Sequence, residues 1–147
     1  MSQTADTAHD EQPPRRRVLP ELNELNRAYW TGGASGTVQI MRCTACSRYI
    51  HPPAPICPAC LTKFPVPTAV SGTGKVISFT VNHQAWYPDL AVPFVLAIIE
   101  LDEQPGLRVT ANIVRCAPKS VRIGLPVSVL FEQHEDVWLP LFEPLLP

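Results

Sequence analysis

The chain has no apolar run approaching the ~20 residues that a membrane span needs, so no transmembrane helix and no membrane partner are expected. It also lacks a dominant charge. Twelve basic and 13 acidic residues leave a formal net charge of −1, which gives no global field to draw in nucleic acid or an anionic surface. Residues 1–14 are polar and mixed in sign, without the apolar centre of a secretory signal, and the expected location is the cytoplasm. Missing too are a Gly-x-Ser-x-Gly elbow, a phosphate loop, a dinucleotide fingerprint and a His-Glu-x-x-His helix. Nothing assembles a nucleophile, a base and oxyanion donors, so no catalytic residue is expected and an enzyme acting alone is disfavoured.

The histidines fit that expectation. His9 lies in a polar tail, His51 in a cysteine-rich loop and His134 in a charged turn. His83 ends a strand beside Trp86 and Tyr87. Each reads as a hydrogen-bonded surface group. The acids Glu100, Asp102 and Glu103 read as a solvated strand end, and Gly72-Thr73-Gly74 as a turn entering a strand.

Cysteine and proline are what the chain does have. Four of its five cysteines form two close pairs, Cys43-Thr-Ala-Cys46 and Cys57-Pro-Ala-Cys60. In a reducing compartment such pairing favours metal over disulfide. Each C-x-x-C loop turns two thiolates to a common point, and two loops make a tetrahedral sulfur cage suited to a closed structural zinc site. Iron is the rival, because rubredoxin uses the same four-thiolate geometry. The positions after the second cysteine of each pair often hold glycine in a left-handed conformation. Here they are Ser47 and Leu61, and a leucine in that conformation is strained. Cys116 stands alone in an apolar context and reads as a buried structural thiol. The 17 prolines crowd around the cysteines and the C-terminus, where they argue against helix or central strand.

Four regions follow. Residues 1–19 form a flexible arm containing Arg15-Arg16-Arg17. Residues 20–36 hold a helix over 20–30, with Pro20 in its first turn, Leu22, Leu25 and Tyr29 on one face, and Gly32-Gly33 as its stop. Residues 37–67 are a zinc ribbon entered by a strand over 37–42. Residues 68–147 are a five-stranded barrel with an apolar tail. Its strands are expected over 75–81, 94–101, 107–114, 126–132 and 137–142, with Val76, Phe79 and Val81 as core positions and a turn at Glu135-Asp136. The apolar run 94–101 reads as a strand covered on both faces.

A barrel of this size cannot bury all its apolar residues. The loop 86–93 and the segment 137–147 therefore read as interface anchors, with Trp86, Tyr87, Trp138, Leu139 and Phe142, and with Tyr29 and Trp30 on the helix.

The order of features then becomes specific. A helix ends in Tyr29-Trp30, followed by Cys43-x-x-Cys46, Pro52-Pro53, Cys57-Pro-x-Cys60, Ser71-Gly-x-Gly74-Lys75-Val76, Pro93-Phe94-Val95, Glu100-Leu101-Asp102-Glu103, Val121-Arg122-Ile123-Gly124 and Leu139-Pro140-Leu141-Phe142. Over residues 20–143 this resembles the small acyl-CoA-associated proteins with a rubredoxin-like zinc ribbon and an OB-fold, long catalogued as a domain of unknown function. The resemblance implies a mainly β fold, a structural zinc and a non-catalytic role. It implies hetero-oligomers with thiolase-fold catalytic subunits, as in thiolase–synthase assemblies, steroid side-chain aldolases, acyl-CoA hydratases and the acylphloroglucinol acetyltransferase. It places an acyl-CoA or acylated small molecule near the interface. The competing readings are a single-stranded nucleic-acid binder and an iron electron carrier. The first wants a dense basic groove that the barrel strands lack.

Overall fold

In a computed structural model of the chain, residues 17–146 are described. Most of the expected arm, with His9 and Arg15-Arg16, lies outside them. Helix α1 is short, Arg27–Thr31, and runs into a 3-10 turn over Gly32–Ser35. The expected helix over 20–26 is absent, and two asparagines explain why. The Asn23 side chain accepts from the backbone N–H groups of Leu25 and Asn26, while Asn26 accepts from Asn23 N–H and donates to the Glu21 carbonyl. These local bonds give the backbone a partner outside the helical ladder. The 3-10 turn docks on the barrel through Gly33. A Cβ there would lie 2.5 Å from Trp138 Cβ and 2.6 Å from Phe131, so only glycine permits the approach.

A three-stranded antiparallel sheet follows, β1 (Val38–Arg42), β2 (Tyr49–Ile50) and β3 (Val66–Val70), in the order β2-β1-β3. Strand β3 runs across the ribbon–barrel boundary expected at 67/68. It contains Pro67, which an edge strand tolerates because one side of its ladder is unpaired.

The barrel is built from β4 (Thr73–Asn82), β5 (Phe94–Leu101), β6 (Arg108–Ile113), β7 (Pro126–His134) and β8 (Val137–Pro144). It closes in the order β4-β5-β6-β8-β7, the five-stranded OB arrangement. The 3-10 link Pro118–Ser120 and the turn at Glu135 and Asp136 sit where expected. Closure is thin at one seam, since β6 and β8 pair only at Ile113 and Phe142. That seam explains why Pro140 sits inside a barrel strand, against the reading of proline-rich segments: β8 pairs fully with β7 and leaves its other side almost free.

The core packs Val76, Ile99, Leu107, Val109, Val127 and Phe142 with Tyr29 of α1 and with Val38 and Ile40 of β1, so the ribbon sheet and the barrel share one interior. Strand β5 departs from expectation. Val95, Ala97, Ile99 and Leu101 point inward, but Leu96 and Ile98 are 40% and 37% exposed. It is half-buried, with no second layer over its outer face among the described residues. Phe79 and Val81 are only partly buried; a register shift between Val76 and Ser78 precedes both positions.

The turn from β5 to β6 fastens the two halves together. Gln104 donates to the Tyr49 carbonyl at 3.1 Å and accepts from Tyr49 N–H at 2.9 Å, satisfying the backbone of β2 with a side chain. Glu103 accepts from Ser71 N–H and Asp102 from the Thr73 hydroxyl, each at 2.6 Å. Of the acids expected to be merely solvated, Glu103 thus reaches the segment beyond β3, while Asp102 ties the turn to β4 within the barrel.

Candidate metal centre

Two knuckles of the same build carry the four paired cysteines. In the first, Cys43 N–H donates to the Arg48 carbonyl at 2.9 Å and Ser47 N–H to the Cys43 carbonyl at 3.1 Å. In the second, Cys57 N–H donates to the Thr62 carbonyl at 2.9 Å and Leu61 N–H to the Cys57 carbonyl at 3.0 Å. Each loop needs one left-handed residue, supplied by Ser47 at φ +63° and Leu61 at φ +61°. The knuckle geometry is therefore kept without glycine, at a cost of about 1–2 kcal/mol per residue.

The four sulfurs lie within 4.8 Å of one another, with Cys43 Sγ 3.5 Å from Cys60 Sγ and Cys46 Sγ 3.7 Å from Cys57 Sγ. A regular tetrahedron with metal–sulfur bonds of about 2.3 Å has edges of about 3.8 Å, so the cage fits a single ion. The cysteines form a zinc-ribbon-type metal-binding site, and all four positions of a tetrahedral ion are taken by protein. The thiols differ in acidity. The Thr62 hydroxyl and N–H draw Cys60 down to about 6. The Arg48 N–H favours the Cys46 thiolate, but desolvation and the three neighbouring sulfurs outweigh it and push that thiol up to about 11. Four sulfurs this close cannot all ionise without a cation between them.

Cys43 and Cys57 are buried and Cys46 and Cys60 exposed. Ile50, Met41 and Ala54 are the only apolar companions of the buried pair among the described residues. His51 is no part of the cage; its ring packs 4.7 Å from that of Tyr29, and burial lowers its pKa. His83 is exposed in a loop. His134 sits 2.6 Å from Glu132, which also holds Arg17 at 3.0 Å; Arg17 in turn reaches Asn112 on β6. Cys116 is half-buried against the core rather than enclosed by it.

The expected interface residues divide. Phe142 is 0% and Tyr29 7% exposed, so both belong to the core, Phe142 with no surface and Tyr29 with only an edge lining a recess beside Trp30 and His51. The one points into the barrel from β8, and the other fills the space between α1, the ribbon and the barrel, where desolvation raises its phenol pKa. Trp30, Tyr87, Trp138 and Leu139 are half-buried, whereas Trp86 is 69% exposed. Trp86, Tyr87, Leu90, Phe94 and Leu96 line a cleft of about 360 Å³ together with Arg17. Sequence reading missed the Gln104 junction and the Arg17–Glu132–His134 chain. Their residues are distant in sequence, and no local pattern pairs them.

Two family models match the chain. Residues 30–63 match the ChsH2 rubredoxin-like zinc ribbon domain and residues 67–132 the ChsH2 C-terminal OB-fold domain. A probable enoyl-CoA hydratase alpha subunit of Thermomonospora curvata is 35% identical over 143 residues, 96% of this chain but 44% of that protein. The chain thus spans less than half the length of that relative. A DUF35 domain-containing scaffold protein of Methanocaldococcus jannaschii is 39% identical over 98 residues, 65% of this chain and 68% of that protein. Among solved structures, the Ltp2-ChsH2(DUF35) aldolase contains a chain that is 36% identical, with a TM-score of 0.75 over 86% of this chain and 98% of that one. The chain belongs to the DUF35 family, in which a rubredoxin-like zinc ribbon is joined to an OB-fold domain.

Proposed function

We propose that the chain is a non-catalytic subunit that holds structural zinc and bridges the catalytic chains of a thiolase-type acyltransferase or of an enzyme that makes or breaks carbon–carbon bonds on acyl-CoA or acylated substrates. The observation that carries this reading is the pairing of a fully ligated metal site with an apolar cleft at Trp86 and Tyr87 that the monomer leaves open. A metal with four protein ligands braces a fold and offers no open position to water or substrate. The scaffold name of one relative and the aldolase complex of another support the partnership. Zinc is preferred to iron because the knuckle cysteines sit in the zinc-ribbon frame of the family.

The test is a native pull-down with the tagged full chain, followed by metal analysis. The expected result is a colourless protein with one zinc per chain, co-purifying with a larger acyl-CoA-processing enzyme, and a Trp86→Ala variant that retains less of it. A catalytic partner that is fully active and stable when this chain is removed would end the bridging role. A coloured, iron-loaded preparation would replace it with electron transfer.

A further inference from the structure

The second knuckle carries more exposed apolar surface than its own fold uses. Leu61 is 73% exposed and Phe64 78%, with Ile56 at 42% and Val66 at 48%. All four lie on one short segment. Ile56 bridges to Lys63, Phe64 N–H donates to the Pro55 carbonyl at 2.9 Å, and Val66 begins β3 opposite Arg42.

The backbone gives a second, independent observation. Leu61 and Phe64 sit at φ +61° and +60°, where bulky side chains are outliers. Each therefore costs the isolated chain twice, in a left-handed backbone and in apolar surface facing water. The first knuckle is an internal control. It makes the same turn with Ser47, small and polar, so the turn does not demand a leucine. Strain held by exposed bulky residues is found where a side chain has something to meet outside its own fold.

Charge indicates what it meets. Residues 37–70 contain Arg42, Arg48 and Lys63 and no aspartate or glutamate. Arg42 is occupied, donating to the Ser47 carbonyl and lying 5.0 Å over the Tyr49 ring. Arg48 and Lys63 are exposed and form no ion pair among the described residues. A tetrathiolate around a divalent ion would carry two negative charges against the three positive ones of Arg42, Arg48 and Lys63, so the ribbon keeps a small positive excess and the tip is apolar with a weakly cationic rim. A second copy of the same tip would set Lys63 and Arg48 against their like. A lipid surface takes a denser basic cluster than two side chains for stable attachment. An apolar recess edged by carboxylates on another protein fits both the grease and the sign. The knuckle hydrogen bonds already hold the anchors in place, so little ordering is left for docking to impose.

We propose that Ile56, Leu61, Phe64 and Val66 at the ribbon tip form a second docking surface, which seats in a carboxylate-edged apolar recess of a partner protein. This rests on the reading of the chain as a partner subunit and deepens it. A bridge needs two faces, and the tip and the Trp86 cleft lie on different modules.

The experiment uses the metal-loaded full chain and the catalytic protein that co-purifies with it, identified, re-expressed and titrated by calorimetry. Leu61→Gly is the decisive variant, because its two effects have opposite signs. It is expected to raise the thermal midpoint by releasing backbone strain and to weaken binding tenfold or more. Phe64→Ser should weaken binding to a similar degree, and Lys63→Glu should weaken it severalfold at low salt and less at high salt. Hydrogen exchange should show 56–66 protected in the complex. If the complex forms and responds to Trp86→Ala but not to Leu61→Gly or Phe64→Ser, the tip is no docking surface while the partner-subunit reading stands. If no catalytic protein co-purifies, both fall. Binding of the tip to phosphatidylglycerol vesicles, or a Leu61-dependent homodimer in sedimentation, would overturn the proposal in favour of those occupants.

Discussion

The ribbon and the barrel reach order by different routes. The barrel gathers alternating residues from five strands into an interior closed by Phe142, Ile99 and Val127, and burial of apolar area drives it. Around its cysteines the ribbon has Ile50, Met41 and Ala54 and little else, so its cage depends on four thiolates sharing one ion. The barrel stays ordered by excluding water from many side chains. Val38 and Ile40 of the ribbon share that interior, but around the knuckles a shared cation would have to supply what burial does not, and Leu61 and Phe64 there face outward.

That contrast can be broken most forcefully at the metal. Structural zinc contributes about 10–16 kcal/mol of apparent binding energy in zinc-ligating peptides. Cys57→Ser, or a chelator, is expected to abolish amide protection over 43–64 while β5 and β6 keep theirs; hydrogen exchange with mass spectrometry reads both regions at once. Equal loss in the two would mean that they form one cooperative unit. The converse perturbation is Phe142→Ala, which empties a 0%-exposed site and should destabilise the barrel by about 3–5 kcal/mol in urea titration, with metal content unchanged.

A smaller effect tests the joint between them. Gln104→Ala removes both hydrogen bonds to Tyr49 and should cost about 1–3 kcal/mol. The expected signature is faster exchange at Tyr49 with little change inside the barrel. The smallest effect concerns Glu132. Burial would push its carboxyl up, but hydrogen bonds from His134 and Arg17, with their charges, win and hold it below the usual range. Its stabilising contribution is therefore present above the ordinary glutamate range and lost as pH falls through the depressed value. Urea midpoints taken from pH 7 to 3 should fall more steeply for the wild type than for Glu132→Gln. Parallel curves would show that the Arg17–Glu132–His134 chain adds nothing to the barrel.

Metal ligands and barrel strands were legible because their signals are local. Two C-x-x-C pairs announce a cage, and the apolar run over 94–101 places β5 to the residue, although not its one-sided burial. Leu61 could be flagged as a misfit from its place in the knuckle, and the structure keeps both the misfit and the turn. The helix over 20–26 misled because its apolar spacing was sound, whereas Asn23 and Asn26 bind their own backbone more readily than they continue a helix. Tyr29 and Phe142 misled for another reason. An aromatic on a short helix or near a chain end reads the same whether it faces a partner or the interior; the closure of β8 against β6 decides for Phe142, and the packing of α1 between ribbon and barrel for Tyr29. The junction was invisible because Gln104 and Tyr49 are 55 residues apart.

That junction has a consequence for how such a protein can change. The turn over 102–106 supplies no ligand to the sulfur cage and no residue to the barrel core, yet its Gln104 and Glu103 side chains tie the barrel to Tyr49 of β2 and to Ser71 just beyond β3. One residue added or lost there would re-aim the ribbon like a hinge pin reset by a notch. A lineage could thus re-aim the ribbon by editing a single turn, leaving the cage and the strands of the barrel as they are.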